Sequence, residues 1–93
     1  MIFFVYVVEC ADETYYTGVT TNVARRMEEH NSAPDGARYT RARRPVRLRY
    51  VEEYESRSAA LKREAEIKRW HRSRKAALWQ GTREASAELV NGA

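Results

Sequence analysis

The apolar and polar positions of this 93-residue chain fall into short runs whose periods assign them. Ile2 to Cys10, IFFVYVVEC, is dense in β-branched and aromatic side chains and predicts a strand buried on both faces. Tyr15 to Val19 is a second such run, and Ala11 to Thr14 is the turn between them. The loop length decides which side chains meet. An odd loop such as Ala11-Asp12-Glu13 puts Tyr6 and Tyr16 on one face of an antiparallel hairpin, whereas a two-residue loop would pair Tyr6 with Val19 and turn Tyr16 away. The odd loop is the expectation.

A helix follows from about Val23 to Asn31, with Thr20, Thr21 or Asn22 as its cap and Val23, Ala24 and Met27 as its core stripe. Ser32 to Arg44 reads as a loop, punctuated by Pro34-Asp35-Gly36 and stopped by Arg44-Pro45. Val46, Leu48 and Tyr50 then alternate with Arg47 and Arg49, which predicts a third strand with one buried and one basic face. Ser56 caps a second helix from Arg57 to about His71, whose apolar arc is Ala60, Leu61, Ile67 and His71. Glu64 falls in the middle of that arc. A carboxylate there is costly unless a core arginine neutralises it or it holds a metal ion, and the pattern leaves both open. Ser73 starts a short third helix through Trp79, with Trp70 and Trp79 as core lids. Gly81 to Ala93 lacks periodicity, so residues 1–80 are expected to form one domain and 81–93 a flexible tail.

Charge changes the picture. A formal net charge of +4 and a pI near 9.5 suggest an anionic partner, nucleic acid first. Arg38, Arg41, Arg43 and Arg44, with Tyr39 between them and Arg47 beyond, would make a surface that grips a phosphate backbone. Nothing in that loop spells a base-reading code, so structure-selective or nonspecific action is expected. Cys10 is the sole cysteine, which excludes an internal disulfide and a cysteine zinc site and fits a reducing compartment. The apolar opening is too short for a secretory signal and no run is long enough to span a bilayer, so a cytoplasmic protein is expected. Neither histidine adjoins a convincing nucleophilic serine, and a hydrolase triad has no support.

The candidate chemistry gathers between Tyr15 and His30. Asn22, Arg26 and His30 recur every fourth residue on one helix face, while Arg25 and Glu29 form a solvated pair on another. Tyrosine, arginine and histidine at one strand-to-helix junction suit phosphate chemistry. The ordered set Tyr6, Tyr16-Thr17-Gly18, Arg26, His30 and Glu64 resembles the GIY-YIG nuclease family, with Phe4-Val5-Tyr6 standing for the first motif. The first motif lacks its Gly-Ile, and Thr17 replaces the isoleucine of the second. Gly36 to Thr40, Arg43 to Val46 and Glu55 to Glu64 narrow the resemblance to the small stand-alone bacterial UPF0213 subgroup, over about residues 3–80.

The resemblance implies an α/β fold, a three-stranded, largely antiparallel sheet flanked by helices in the order β-β-α-β-α-α. It implies a divalent-metal-dependent endonuclease acting on nucleic acid, DNA in preference to RNA, with a role in DNA repair or recombination. Tyr6, Tyr16, Arg26, His30 and Glu64 would be its catalytic residues, and Glu64 would hold Mg²⁺ or Mn²⁺. Arg26 would neutralise charge on the phosphate, Tyr16 would be the base for water, and Tyr6 and His30 would assist in positioning or proton relay. A monomer is expected, which a protein partner could join. Two other classes stay open: a non-catalytic nucleic-acid-binding module, and an adaptor docking on a larger protein.

Overall fold

A computed structural model describes residues 1–32 and 37–80 of the chain. The expected tail at 81–93, and the Pro34-Asp35-Gly36 turn, lie outside the described residues. Three strands, β1 (Phe3–Glu9), β2 (Tyr15–Thr20) and β3 (Arg47–Tyr54), form one antiparallel sheet in the order β2-β1-β3. Four helices accompany it: α1 (Val23–Asn31), α2 (Arg38–Arg41), α3 (Arg57–Lys68) and α4 (Arg72–Gln80). The α/β architecture and its order are as expected, with one addition, the single turn α2 inside the stretch read as a loop. Among the described residues no helix is long and apolar enough to cross a membrane.

Central β1 is buried on both faces because each face has its own layer. Val5 and Val7 meet Ala60 and Ile67 of α3, with Trp70 and Trp79 packed against that cluster. Tyr6, Val8 and Cys10 meet Val46, Tyr16 and Met27 on the other side. The hairpin closes as a three-residue loop: Cys10 N–H donates to Thr14 O at 2.8 Å, and Glu13 takes φ 66°, the left-handed residue that such loops require. Tyr6 therefore lies opposite Gly18 and Val8 opposite Tyr16. Equal parity puts both tyrosines on one face.

Three details depart from the sequence pattern. The apolar alternation of β3 is interrupted, because Val7 pairs with Tyr50 and Val8 with Leu48, leaving Arg49 as the extra residue of a bulge. The bulge flips the pleat, so Tyr50 joins the core while Leu48 is 40% exposed and Arg49 turns to Glu9 at 2.8 Å. In α3 only Ala60 and Ile67 are buried, and Leu61 is exposed. The helix ends at Lys68, three residues before His71, and exposed His71 caps α4 by accepting Ser73 N–H at 3.3 Å. In α1 Ala24 is exposed and Met27 half-buried, so the inward-facing end of that helix is His30.

Candidate active site

Side-chain oxygens set where α1 begins. Asn22 accepts Arg25 N–H at 3.0 Å, and Thr20 Oγ1 accepts Asn22 N–H at 3.1 Å, closing the strand-to-helix turn. The helix then carries Arg26 and His30, one turn apart, onto the face of the sheet that holds both tyrosines. His30 is fully buried, its Nε2 2.7 Å from Tyr6 Oη and its Nδ1 2.8 Å from Thr40 Oγ1. Its ring stands edge-on to Tyr6 and Tyr16, with centroids 5.7 and 5.4 Å away. From the far side, Arg44 donates to the carbonyls of Glu29 and His30, which caps the C-terminus of α1.

Gly18 makes this arrangement possible. The Tyr6 ring crosses directly over it: a Cβ built on Gly18 would lie 2.6 Å from Cζ of Tyr6, with the hydroxyl oxygen nearer still. A position opposite Tyr6 in the hairpin must therefore have no side chain.

Burial first, and then the charges of Tyr16 and Glu64, push the Tyr6 hydroxyl up to about 12, against the opposing effect of the Arg26 guanidinium beside it. Burial, reinforced by the charges of Arg26 and Arg44, brings His30 down to about 4. At neutral pH both groups are uncharged. Arg26 is three-quarters buried, lies beside the Tyr6 hydroxyl and pairs with Glu29 at 2.9 Å. Arg25, expected as that glutamate's partner, stands off at 4.0 Å and is exposed.

Tyr16 is half-buried and stacked at 24° on Tyr39, and Arg43 lies 4.0 Å over the other ring. At the free edge of β2 the two layers meet, where the ammonium of Lys68 comes 5.9 Å from the Tyr16 centroid. Lys68 is also the partner of Glu64, at 3.3 Å. Glu64 lies on the inner side of α3 between Ala60 and Ile67, half-buried, and its charge is felt at Tyr6. The core arginine that could have neutralised it, Arg63, instead grips Glu52 with two bonds of 2.9 Å.

The described residues thus bring Tyr6, Tyr16, Arg26 and His30 together between the hairpin and α1, with Glu64 on α3 close enough for its charge to be felt at Tyr6. A scan against family models matches residues 2–77 to the GIY-YIG catalytic domain. The chain belongs to the GIY-YIG family.

Among its relatives, a UPF0213 protein of Desulfotalea psychrophila is 60% identical over 75 residues, covering 81% of this chain and 68% of that protein. A UPF0213 protein of Halobacterium salinarum is 57% identical and covers 81% of this chain and 96% of its own. The solution structure of a protein from E. faecalis superposes with a TM-score of 0.57 at 33% identity, over the whole of this chain and 92% of the other. That of a UPF0213 protein from Bacillus halodurans gives 0.51 at 37% identity, covering 99% and 88%. GIY-YIG proteins are generally endonucleases, act on nucleic acid and typically use divalent metals.

The basic residues expected to grip a backbone differ in exposure. Arg38, Arg41 and Arg47 are exposed. Arg43 is held by Asp12 at 3.0 Å and by Tyr39 O at 2.8 Å, and Arg44 by the α1 carbonyls. Tyr39 stacks on Tyr16 and lies under Arg43, so it braces Tyr16 while staying partly exposed. A second basic stretch was passed over in the sequence: Lys68, Arg69, Arg72, Arg74 and Lys75, with no acid from Ile67 to Gln80. Arg72 sits 5.0 Å over Tyr15, the neighbour of Tyr16, which carries that cluster to the edge of the site. Thr40 was also missed, since a buried threonine in a loop leaves no periodic signal.

Among the described residues no three His, Cys, Asp or Glu gather as a ready-made metal cage. Glu64 suits an ion that binds one carboxylate and completes its shell with water and phosphate oxygens, as Mg²⁺ does. Its ionic partner, Lys68, is a half-exposed lysine that also reaches the Tyr16 ring and that substrate could draw away.

Proposed function

We propose that this GIY-YIG protein is an endonuclease that hydrolyses a phosphodiester bond by direct attack of water, with DNA as its substrate and Mg²⁺ or Mn²⁺ held by Glu64. The observation that carries the reading is Arg26. A three-quarters-buried guanidinium, held by Glu29 beside the Tyr6 hydroxyl, has donors left over for an anion. A bound divalent cation would supply positive charge at the scissile phosphate and a more acidic water. Glu64 would hold that ion, and Arg26 would neutralise charge on the equatorial oxygens.

Tyr16, the more exposed of the two motif tyrosines, stands where it could accept a proton from water, with Lys68 alongside. Tyr6 and His30 suit positioning better than proton relay, because values near 12 and 4 leave the proton on the phenol. Arg38, Arg41 and Arg47, together with the basic corner between α3 and α4, would hold the flanking backbone without reading bases. The electrostatic design favours structure-selective or nonspecific cutting, and repair or recombination is the matching role.

The test is a gel assay of labelled single-stranded, duplex, flap and branched DNA with Mg²⁺, Mn²⁺ or EDTA. Metal-dependent cleavage by the native protein, abolished in Arg26→Ala and in Glu64→Ala with the fold retained by circular dichroism, is the expected result. Full activity in either folded variant would overturn the assignment. Salt-sensitive binding with no cleavage under any metal condition would replace it with a binding module.

A further inference from the structure

Thr40 is fully buried, has no role assigned to it by the sequence and lies ten residues from the histidine it touches. We propose that Thr40 is a positioning residue that fixes His30 as its Nδ1–H tautomer, and through Tyr6 aims the Arg26 guanidinium. The inference rests on the catalytic reading of Arg26, but its structural part stands alone.

Two ends of one hydrogen-bond chain determine the proton positions independently. At one end, Thr40 Oγ1 lies 2.9 Å from the carbonyl of Ala37, a group that can only accept. A hydroxyl has one proton to give, so the side of Oγ1 facing His30 at 2.8 Å is a lone pair, and Nδ1 must carry hydrogen. At the other end, the Tyr6 hydroxyl meets the Arg26 guanidinium, which can only donate, and His30 Nε2 at 2.7 Å. The phenol proton therefore goes to Nε2, which must be bare. A neutral imidazole with a bare Nε2 is the Nδ1–H form, and the two deductions agree. Because Tyr6, His30 and Thr40 are each at most 1% exposed, no solvent exchanges into the chain.

Orientation follows from this order. With its proton turned inward to His30, the Tyr6 oxygen turns its lone pairs toward the Arg26 cation beside it. The opposite tautomer would set Nε2–H against Tyr6 O–H and swing the phenol proton toward a cation. Removing the Thr40 oxygen strands the Nδ1–H without an acceptor and lifts the bias between the two forms.

The experiment reads the imidazole nitrogens of ¹⁵N-labelled full-length protein by long-range ¹H–¹⁵N correlation at neutral pH. It compares the native protein with Thr40→Val, which keeps the shape, and Thr40→Ser, which keeps the oxygen. A native His30 with Nδ1 protonated and Nε2 bare, a mixed or reversed pattern in Thr40→Val, and restoration in Thr40→Ser are expected. An Nε2–H tautomer in the native protein overturns the proposal even if no variant folds, as does a folded Thr40→Val with the native pattern. On a cleaved DNA substrate, kcat should fall by about 10- to 100-fold in Thr40→Val with KM unmoved, and recover in Thr40→Ser. An unchanged kcat would remove the link to Arg26. If the native protein cuts no nucleic acid, the catalytic reading fails while the nitrogen spectra still decide the tautomer.

Discussion

Replacing Gly18 with alanine adds one methyl group to the chain at the spot the Tyr6 ring occupies. The new carbon would meet Cζ of Tyr6 at 2.6 Å and Cε1 at 3.0 Å, where ordinary contact needs about 3.5 Å or more. The neighbour cannot yield cheaply, since Tyr6 is a fully buried ring on the central strand and its oxygen is tied to His30 at 2.7 Å. Relief requires the ring to retreat by roughly 1 Å, which takes that hydrogen bond beyond its useful range. Overpacking of this kind costs about 1–3 kcal/mol, and a stranded buried donor about 1–3 more. A loss of about 3 kcal/mol in urea unfolding is therefore expected, a large share of the stability of so small a domain. The companion variant Tyr6→Ala removes the ring the methyl strikes. Added to it, Gly18→Ala should cost far less than it does alone, giving a coupling energy of at least about 1 kcal/mol. Equal costs in both backgrounds would refute the argument that Gly18 exists to admit Tyr6.

Three other perturbations have signs that follow directly. His30 titrates near 6.5 when unfolded but at about 4 when folded, so between these values the unfolded chain binds more protons and stability falls as the pH is lowered. The loss should total roughly 3 kcal/mol by pH 4 and be missing from the matching profile of His30→Gln, measured by urea unfolding across that range. Thr17 is buried with a hydroxyl that has no partner, so Thr17→Val should raise stability by about 1 kcal/mol, read as an increase in Tm. Arg63 grips Glu52, a carboxylate that burial alone would raise but that Arg63, Tyr50 and Tyr54 together hold below its usual range. Arg63→Met should cost about 3 kcal/mol in the same assay, because it leaves that carboxylate without its cation.

How far the sequence carried the reading depended on whether the signal was local. The parity of a hairpin loop is a local matter, and it put Tyr6 and Tyr16 on one face. The spacing of Asn22, Arg26 and His30 is likewise local, and α1 has the bounds its cap and stop residues implied. The β3 alternation misled because a bulge arises between two strands and is written in neither alone. The arc of α3 was drawn with one turn too many, since His71 looks apolar by position yet serves as a cap. Glu64 left two alternatives open, and its carboxylate is found with Lys68, four residues along, while the buried pairing passed to its neighbour Arg63. The tyrosines at 50 and 54, two positions either side of Glu52, were a readable sign of that network. For Thr40 there was no such sign.

Arg63 and Glu64 are consecutive, so they leave the helix about 100° apart. One locks α3 to the third strand through a forked ion pair, and the other carries a charge that is felt at Tyr6. The lock thereby sets the rotation of the whole helix about its own axis. A carboxylate roughly 6 Å from that axis sweeps about 1 Å for every 10° of roll, the scale on which misplaced catalytic groups lose their effect. A salt bridge about a quarter-turn away thus acts as the torsional stop for the residue that would hold the metal. Loosening it should blur the aim of Glu64 before it melts the fold.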